Sequence, residues 1–189
     1  MKKMNLRAAL LVAGVVFAAP LGASLAYAAM TKMVGGAPMY PSKNIIQNAV
    51  HSKDHTTLVA AVKAAGLVPT LEGAGPFTVF APTNEAFAKL PAGTVKTLLE
   101  PANKGQLTAI LTYHVIPGRI TAADLSKMID ANGGHYTVNT VQGGALSFSK
   151  MNGGIAVTDA KGDTAMVTIS DVMQSNGVIH VVNGVLLPG

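Results

Sequence analysis

Acid–base or metal chemistry in this chain would have to come from its five histidines and nine carboxylates, and their spacing limits what they can do. His51 and His55 stand four apart, the separation at which two imidazoles on one helical face can share a metal ion. Lys53-Asp54 between them reads as a break between two helices, and no Glu follows His51 as a zinc-hydrolase helix requires. Two solvated linker histidines are the expectation. The carboxylates never pair closely: Asp159 and Asp163 flank a turn, and Glu85 sits where it favours a helix dipole. A general acid/base couple needs two such groups brought together with separated pKa values, and the sequence offers no candidate. No serine has a base and an orienting group beside it, and the glycines of "GGHYTVNTVQGG" bracket a strand instead of opening a helix around a phosphate. There is no cysteine, which excludes disulfides, thiolate metal sites and a lipid-acylated N-terminus. A non-enzymatic protein with no cofactor and no metal is expected.

The elements that would position any site begin after residue 28. "MKKMNLRAALLVAGVVFAAPLGASLAYAA" has a basic start (Lys2, Lys3, Arg7), an uncharged apolar stretch and the small-x-small triplet Ala26-Tyr27-Ala28. It reads as a signal peptide, residues 1–28, so the product is expected to be exported to the periplasm or medium with no stable membrane insertion after cleavage. Three of the 14 basic residues lie there, leaving 11 against nine acidic ones, a balance of +2 without any Lys/Arg run. A nucleic-acid partner has no electrostatic footprint. Of 189 residues, 49% are hydrophobic but only 5% aromatic, so the core must be aliphatic.

Residues 29–42 lack periodicity and read as a flexible lead-in; 43–189 read as one α+β domain. "NIIQNAV" starts a helix capped by Asn44, and "DHTTLVAAVKAAGL" is a second, with Thr56 or Thr57 as cap and Gly66 as its left-handed end. "AGTVKTLLE" and "KGQLTAILT" are helices hinged at Pro101, and Thr121 can cap "TAADLSKMI". From His135 onward the pattern changes to short strands separated by "QGG", "MNGG", "AKGD" and "QSNG", which are hairpin signals.

One corner is unusually specific. In "FTVFAPTNEAFAKLP", Phe77 and Phe80 lie in a strand that must end at Pro82, which has no ladder donor. Thr83 or Asn84 can cap the following turn, worth about 1 kcal/mol. Phe87 then points inward, and burying it is worth more, since deleting a buried Phe costs about 3–5 kcal/mol. The stretch is scaffold.

This corner resembles the first signature motif of the fasciclin domain family. "LTYHVIPGRI" (Leu111 to Ile120) is similar to the family's central Tyr-His segment, and "NGVIHVVNGVLLPG" (Asn176 to Gly189) to its closing motif. The three occur in the family's order. The resemblance implies a β-wedge or sandwich of about seven strands with several short helices packed on it. It also implies a module for cell-surface or extracellular-matrix adhesion that contacts protein or polysaccharide. Tyr113-His114 and Asp171-Val172 map onto segments that animal members use for partner contact, the second imperfectly, because the family pair is Asp-Ile. Tyr113 and His114, next to Pro117, read more simply as semi-buried groups bonded to backbone. His180, in a strand apolar on both faces, is expected to be a satisfied core histidine. A second functional class stays open: a periplasmic carrier of a small apolar ligand such as a lipid or pigment, with its cavity in the aromatic-poor interior.

Overall fold

The computed structural model describes residues 31–189. The expected signal segment lies outside them. A hairpin of β1 (Lys32–Val34) and β2 (Ala37–Met39) comes first, followed by α1 (Ile45–Ala49), α2 (Thr56–Ala65) and α3 (Val68–Glu72). Then come β3 (Phe77–Pro82), α4 (Asn84–Ala88), α5 (Thr94–Leu98), α6 (Lys104–Tyr113), β4 (Val115–Pro117) and α7 (Ala122–Ala131). The C-terminal half is a run of strands: β5 (His135–Asn139), β6 (Ala145–Met151), β7 (Gly154–Thr158), β8 (Thr164–Gln174) and β9 (Gly177–Val182). The helix-rich first half and strand-rich second half expected from periodicity are both present.

Seven strands join in the order β4-β3-β9-β8-β7-β6-β5. Every neighbouring pair is antiparallel except β3 and β9, which run parallel from Phe77↔Gly177 to Pro82↔Val182. The first and last long strands of the domain therefore meet at its centre. A parallel pair is covered on both faces and reads as continuous apolar sequence; all six residues of β9 are buried. Gly177 is demanded by this closeness, because a Cβ there would collide with the Phe77 carbonyl oxygen.

Alternation along β3 and β9 divides the interior in two. Val79, Ala81, Ile179 and Val181 face a core completed by Leu58, Val62, Leu107, Ile110 and Leu111 of α2 and α6. Phe80 and Val182 face a second core of Leu125, Ile129, Leu146 and Phe148. Phe80 rests between Phe148 and His180, with ring centroids 5.3 and 5.4 Å away. The strand-to-helix corner builds both cores: Phe80 enters one and Phe87, only 6% exposed, enters the other.

Three local features differ from the sequence reading, and one alternative it left open is resolved. Residues 32–39, expected within a flexible lead-in, are a hairpin turning at Gly35-Gly36, both with positive φ, and Val34 and Met39 are buried. Thr83 alone caps α4, accepting from the Ala86 amide at 3.2 Å. Asn84 reaches across to α2, accepting from the Thr57 amide (3.0 Å) and the Thr56 hydroxyl (3.1 Å) and donating to the Lys53 carbonyl (2.8 Å). So α2 is capped by neither of its own threonines but from another helix. Finally, β8 runs five residues past the expected end at Ile169, through irregular register between Val167 and Val172.

Candidate functional site

Tyr113 and His114 occupy the end of α6, where the helix hands over to β4. Both are buried, at 0% and 2% exposure. The Tyr113 hydroxyl donates to the Ala145 carbonyl (2.6 Å) and accepts from the Ala160 amide (2.9 Å). Burial raises its pKa. His114 Nδ1 lies 2.8 Å from the Ile110 carbonyl, and Nε2 accepts from the Leu186 amide at 3.0 Å. A carbonyl can only accept and an amide only donate, so this imidazole is neutral with its proton on Nδ1. Desolvation pushes its pKa down to about 4. Neither side chain is presented to solvent; together they tie α6 to the start of β6, the β7–β8 turn and the C-terminal tail. Asp159 secures the same tail, its Oδ2 accepting from the Leu187 amide at 2.9 Å.

Asp171 and Val172 lie in the irregular stretch of β8. Asp171 has φ 51°, a left-handed conformation costing about 1–2 kcal/mol for a non-glycine residue. Two bonds offset the strain. Its carboxylate accepts from the Ala122 amide in the first turn of α7 (2.8 Å), and its own amide donates to His180 Nδ1 (3.3 Å). His180 Nε2 in turn donates to the Ile120 carbonyl (2.9 Å), and the Ile120 amide donates to the Thr78 hydroxyl (2.9 Å). His180 is fully buried and its pKa is lowered by desolvation, as a satisfied core histidine requires. Val172 is buried at 1%. The Tyr-His and Asp-Val pairs thus belong to separate internal networks, one fixing the C-terminal tail and the other fixing α7.

Two hollows remain. The open one is a groove of about 440 Å3 lined by Ser126 of α7, Lys150 of β6, Gly153-Gly154 at the β6–β7 turn, and Thr168 and Ser170 of β8. It exists because β7 pairs with β8 only from Ala156↔Met166 to Thr158↔Thr164. Beyond that point β8 pairs with β9 alone, so the wedge opens and α7 crosses it. Lys150 is ion-paired with Asp130 at 2.6 Å. The Ser126 and Ser170 hydroxyls are not engaged by other described residues. The second hollow is a cavity of about 50 Å3 in the first core, under the hairpin.

The two histidines considered as a metal pair are separated in environment. His51 is exposed and bonded to the Gln47 carbonyl at 2.9 Å, whereas His55 is buried, not a solvated linker residue, with Nδ1 2.8 Å from Ser52 Oγ. Among the described residues no three His, Cys, Asp or Glu side chains gather to hold a metal ion. Sequence reasoning passes over several polar residues that join distant elements. Asn176 accepts from the Ile45 amide and donates to the Leu71 and Gly73 carbonyls, and Asn48 joins Tyr40 to Gln174. Gln47 beside Asn48 and Gln174-Ser175 before Asn176 leave neither asparagine distinct from its polar neighbours, so the sequence carries no local signal for these links.

The fasciclin domain family model matches residues 53–188. Protein sll1483 of Synechocystis sp. is 50% identical over 144 residues, covering 76% of this chain and 73% of that protein. The transforming growth factor-beta-induced protein ig-h3 of Sus scrofa is 37% identical over 131 residues, covering 69% of this chain but only 17% of the larger protein. A solved fasciclin domain pair from the insect cell adhesion molecule Fasciclin I superposes with a TM-score of 0.70 at 19% identity, covering 78% of this chain and 52% of the pair. Sequence and fold lead to one conclusion: this chain belongs to the fasciclin domain family.

Proposed function

We propose that the protein is an exported, non-enzymatic binding module that contacts a cell-surface or matrix protein or polysaccharide through the groove between α7 and the diverging β7 and β8. One observation carries this reading. The buried polar side chains of the three motifs, Tyr113, His114, Asn176 and His180 among them, are engaged by internal hydrogen bonds, whereas the Ser126 and Ser170 hydroxyls that line the open groove are engaged by no other described residue. Its volume of about 440 Å3 falls within the range of about 300–1,000 Å3 common for small-ligand sites. Hydroxyls, glycine backbone and a lysine suit a polar, extended partner such as a saccharide chain. The structural neighbour comes from an insect cell adhesion molecule, which supports the same class of function. Export rests on the N-terminal segment; among the described residues no helix is long and apolar enough to cross a membrane.

Carriage of a lipid or pigment gains no support from the interior. An apolar cavity of about 150 Å3 is needed for benzene alone, and this one measures about 50 Å3. The test of the adhesion reading is an array of matrix proteins and envelope polysaccharides probed with the purified protein. Saturable binding to at least one member is expected, and no binding to any of them would overturn the proposal.

A further inference from the structure

The cavity under the hairpin supports an inference independent of the outer groove. It lies among α1, α2 and the sheet, with Val34 and Met39 of the hairpin in its wall, and encloses about 50 Å3. Four lining residues carry polar atoms: Ser52, His55, Lys63 and His114. Lys63 is exposed, and its amine can stay in water while its methylenes line the wall. Both nitrogens of His114 are engaged, by the Ile110 carbonyl and the Leu186 amide. Ser52 and His55 engage each other through Oγ and Nδ1.

His55 is the exception. It is 3% exposed, and its Nε2 has no hydrogen-bond partner among the described residues. Burial lowers the pKa of His55 and the nearby Ala81 carbonyl only partly opposes that shift; the carbonyl does not meet Nε2 with hydrogen-bonding geometry. Ser52 is buried too, and its hydroxyl finds its bond at His55 Nδ1. A hydroxyl donating there makes Nδ1 the acceptor and leaves the ring proton on Nε2. The cavity therefore presents one N–H donor in an otherwise aliphatic wall.

Volume and polarity together select the occupant. One water fills about 10–15 Å3 of such space and needs two to four polar partners. A single donor cannot satisfy a water cluster, and benzene is too large. A molecule with one acceptor oxygen, no donor and a short alkyl body satisfies the N–H and leaves nothing of its own unpaired.

We propose that this cavity is a binding site for a small neutral carbonyl compound of about three to five heavy atoms, its oxygen accepting from His55 Nε2 and its alkyl groups packed on the aliphatic wall. The test uses the purified protein with acetone and xenon as probes, read by methyl spectra of Val62, Leu111 and Ile179 and by the imidazole nitrogen signals of His55. Acetone is expected to shift the methyls saturably together with Nε2, and xenon to shift the same methyls without Nε2. In His55→Phe, acetone affinity should fall at least about tenfold while the xenon response persists. If that variant does not fold, the wild-type nitrogen signal decides the question. No saturable methyl shift with acetone, or methyl shifts that leave Nε2 unmoved, would overturn the proposal. Neither result bears on the groove.

Discussion

His114 shows how a residue with catalytic chemistry becomes a structural one. Its two bonds require the neutral ring, and burial holds its pKa at about 4, against 6.5 for a free imidazole. As pH falls through 6.5 the unfolded chain takes up a proton that the folded chain refuses until about pH 4, so stability is full above 6.5 and is lost across that window. The gap corresponds to about 3 kcal/mol. Burial shifts His55 and His180 in the same direction, so they steepen the loss. The urea midpoint is expected to fall markedly between about pH 7.5 and 4.5, and to fall less in His114→Gln; a flat wild-type profile would refute this role for the three histidines. Asn84 makes a separate case. It caps a helix to which it does not belong, and Asn84→Ala strands the Thr57 amide and the Lys53 carbonyl. A loss of about 1–2 kcal/mol is expected in chemical denaturation, with little change in the m-value.

Among the elements, the hairpin and β8 depend most on distant parts of the chain. The turn of the hairpin seats on the segment before α2: the Lys53 amide donates to the Gly35 carbonyl at 3.1 Å. Gly35 has φ +57°, and a Cβ there would stand 2.6 Å from the Asp54 amide nitrogen and 2.8 Å from that of Lys53. Gly35→Val should therefore detach the hairpin while sparing the central sheet. Amide exchange is expected to accelerate across residues 32–39 and not in β3 or β9, with the melting temperature lower by a few degrees; unchanged protection of the hairpin would contradict this. Elements specified by their own residues are legible in the sequence: the Asn44 and Thr121 caps, the end of β3 at Pro82, and the glycine-marked turns between the later strands. The hairpin is not, because three-residue strands have no periodicity to read and are held by burial of Val34 and Met39 against remote helices. Nor is the continuation of β8, where Asp171 breaks alternation to reach α7. The cap of α2 escapes a local reading because its acceptor lies 27 residues away in sequence.

For the whole molecule, the parallel β3–β9 pair closes the domain, and the motifs at its corners hold the closure. Tyr113-His114 and Asp171-Val172 are legible as special residues, but whether they face inward or outward is not. That depends on which strands flank them, and only the assembled sheet fixes this. The groove is not legible at all, since it arises where two strands stop pairing. If the motif residues are architecture and recognition belongs to the groove, the two can be separated by substitution. Tyr113→Phe removes buried hydrogen bonds worth about 1–2 kcal/mol without touching the surface. Ser170→Trp fills the groove without touching the cores. The decisive measurement is the affinity of both variants, each confirmed folded, for the strongest binder found on the array. Near-wild-type affinity for Tyr113→Phe with at least a tenfold loss for Ser170→Trp is the expected result; loss in the folded Tyr113→Phe with binding intact in Ser170→Trp would contradict it.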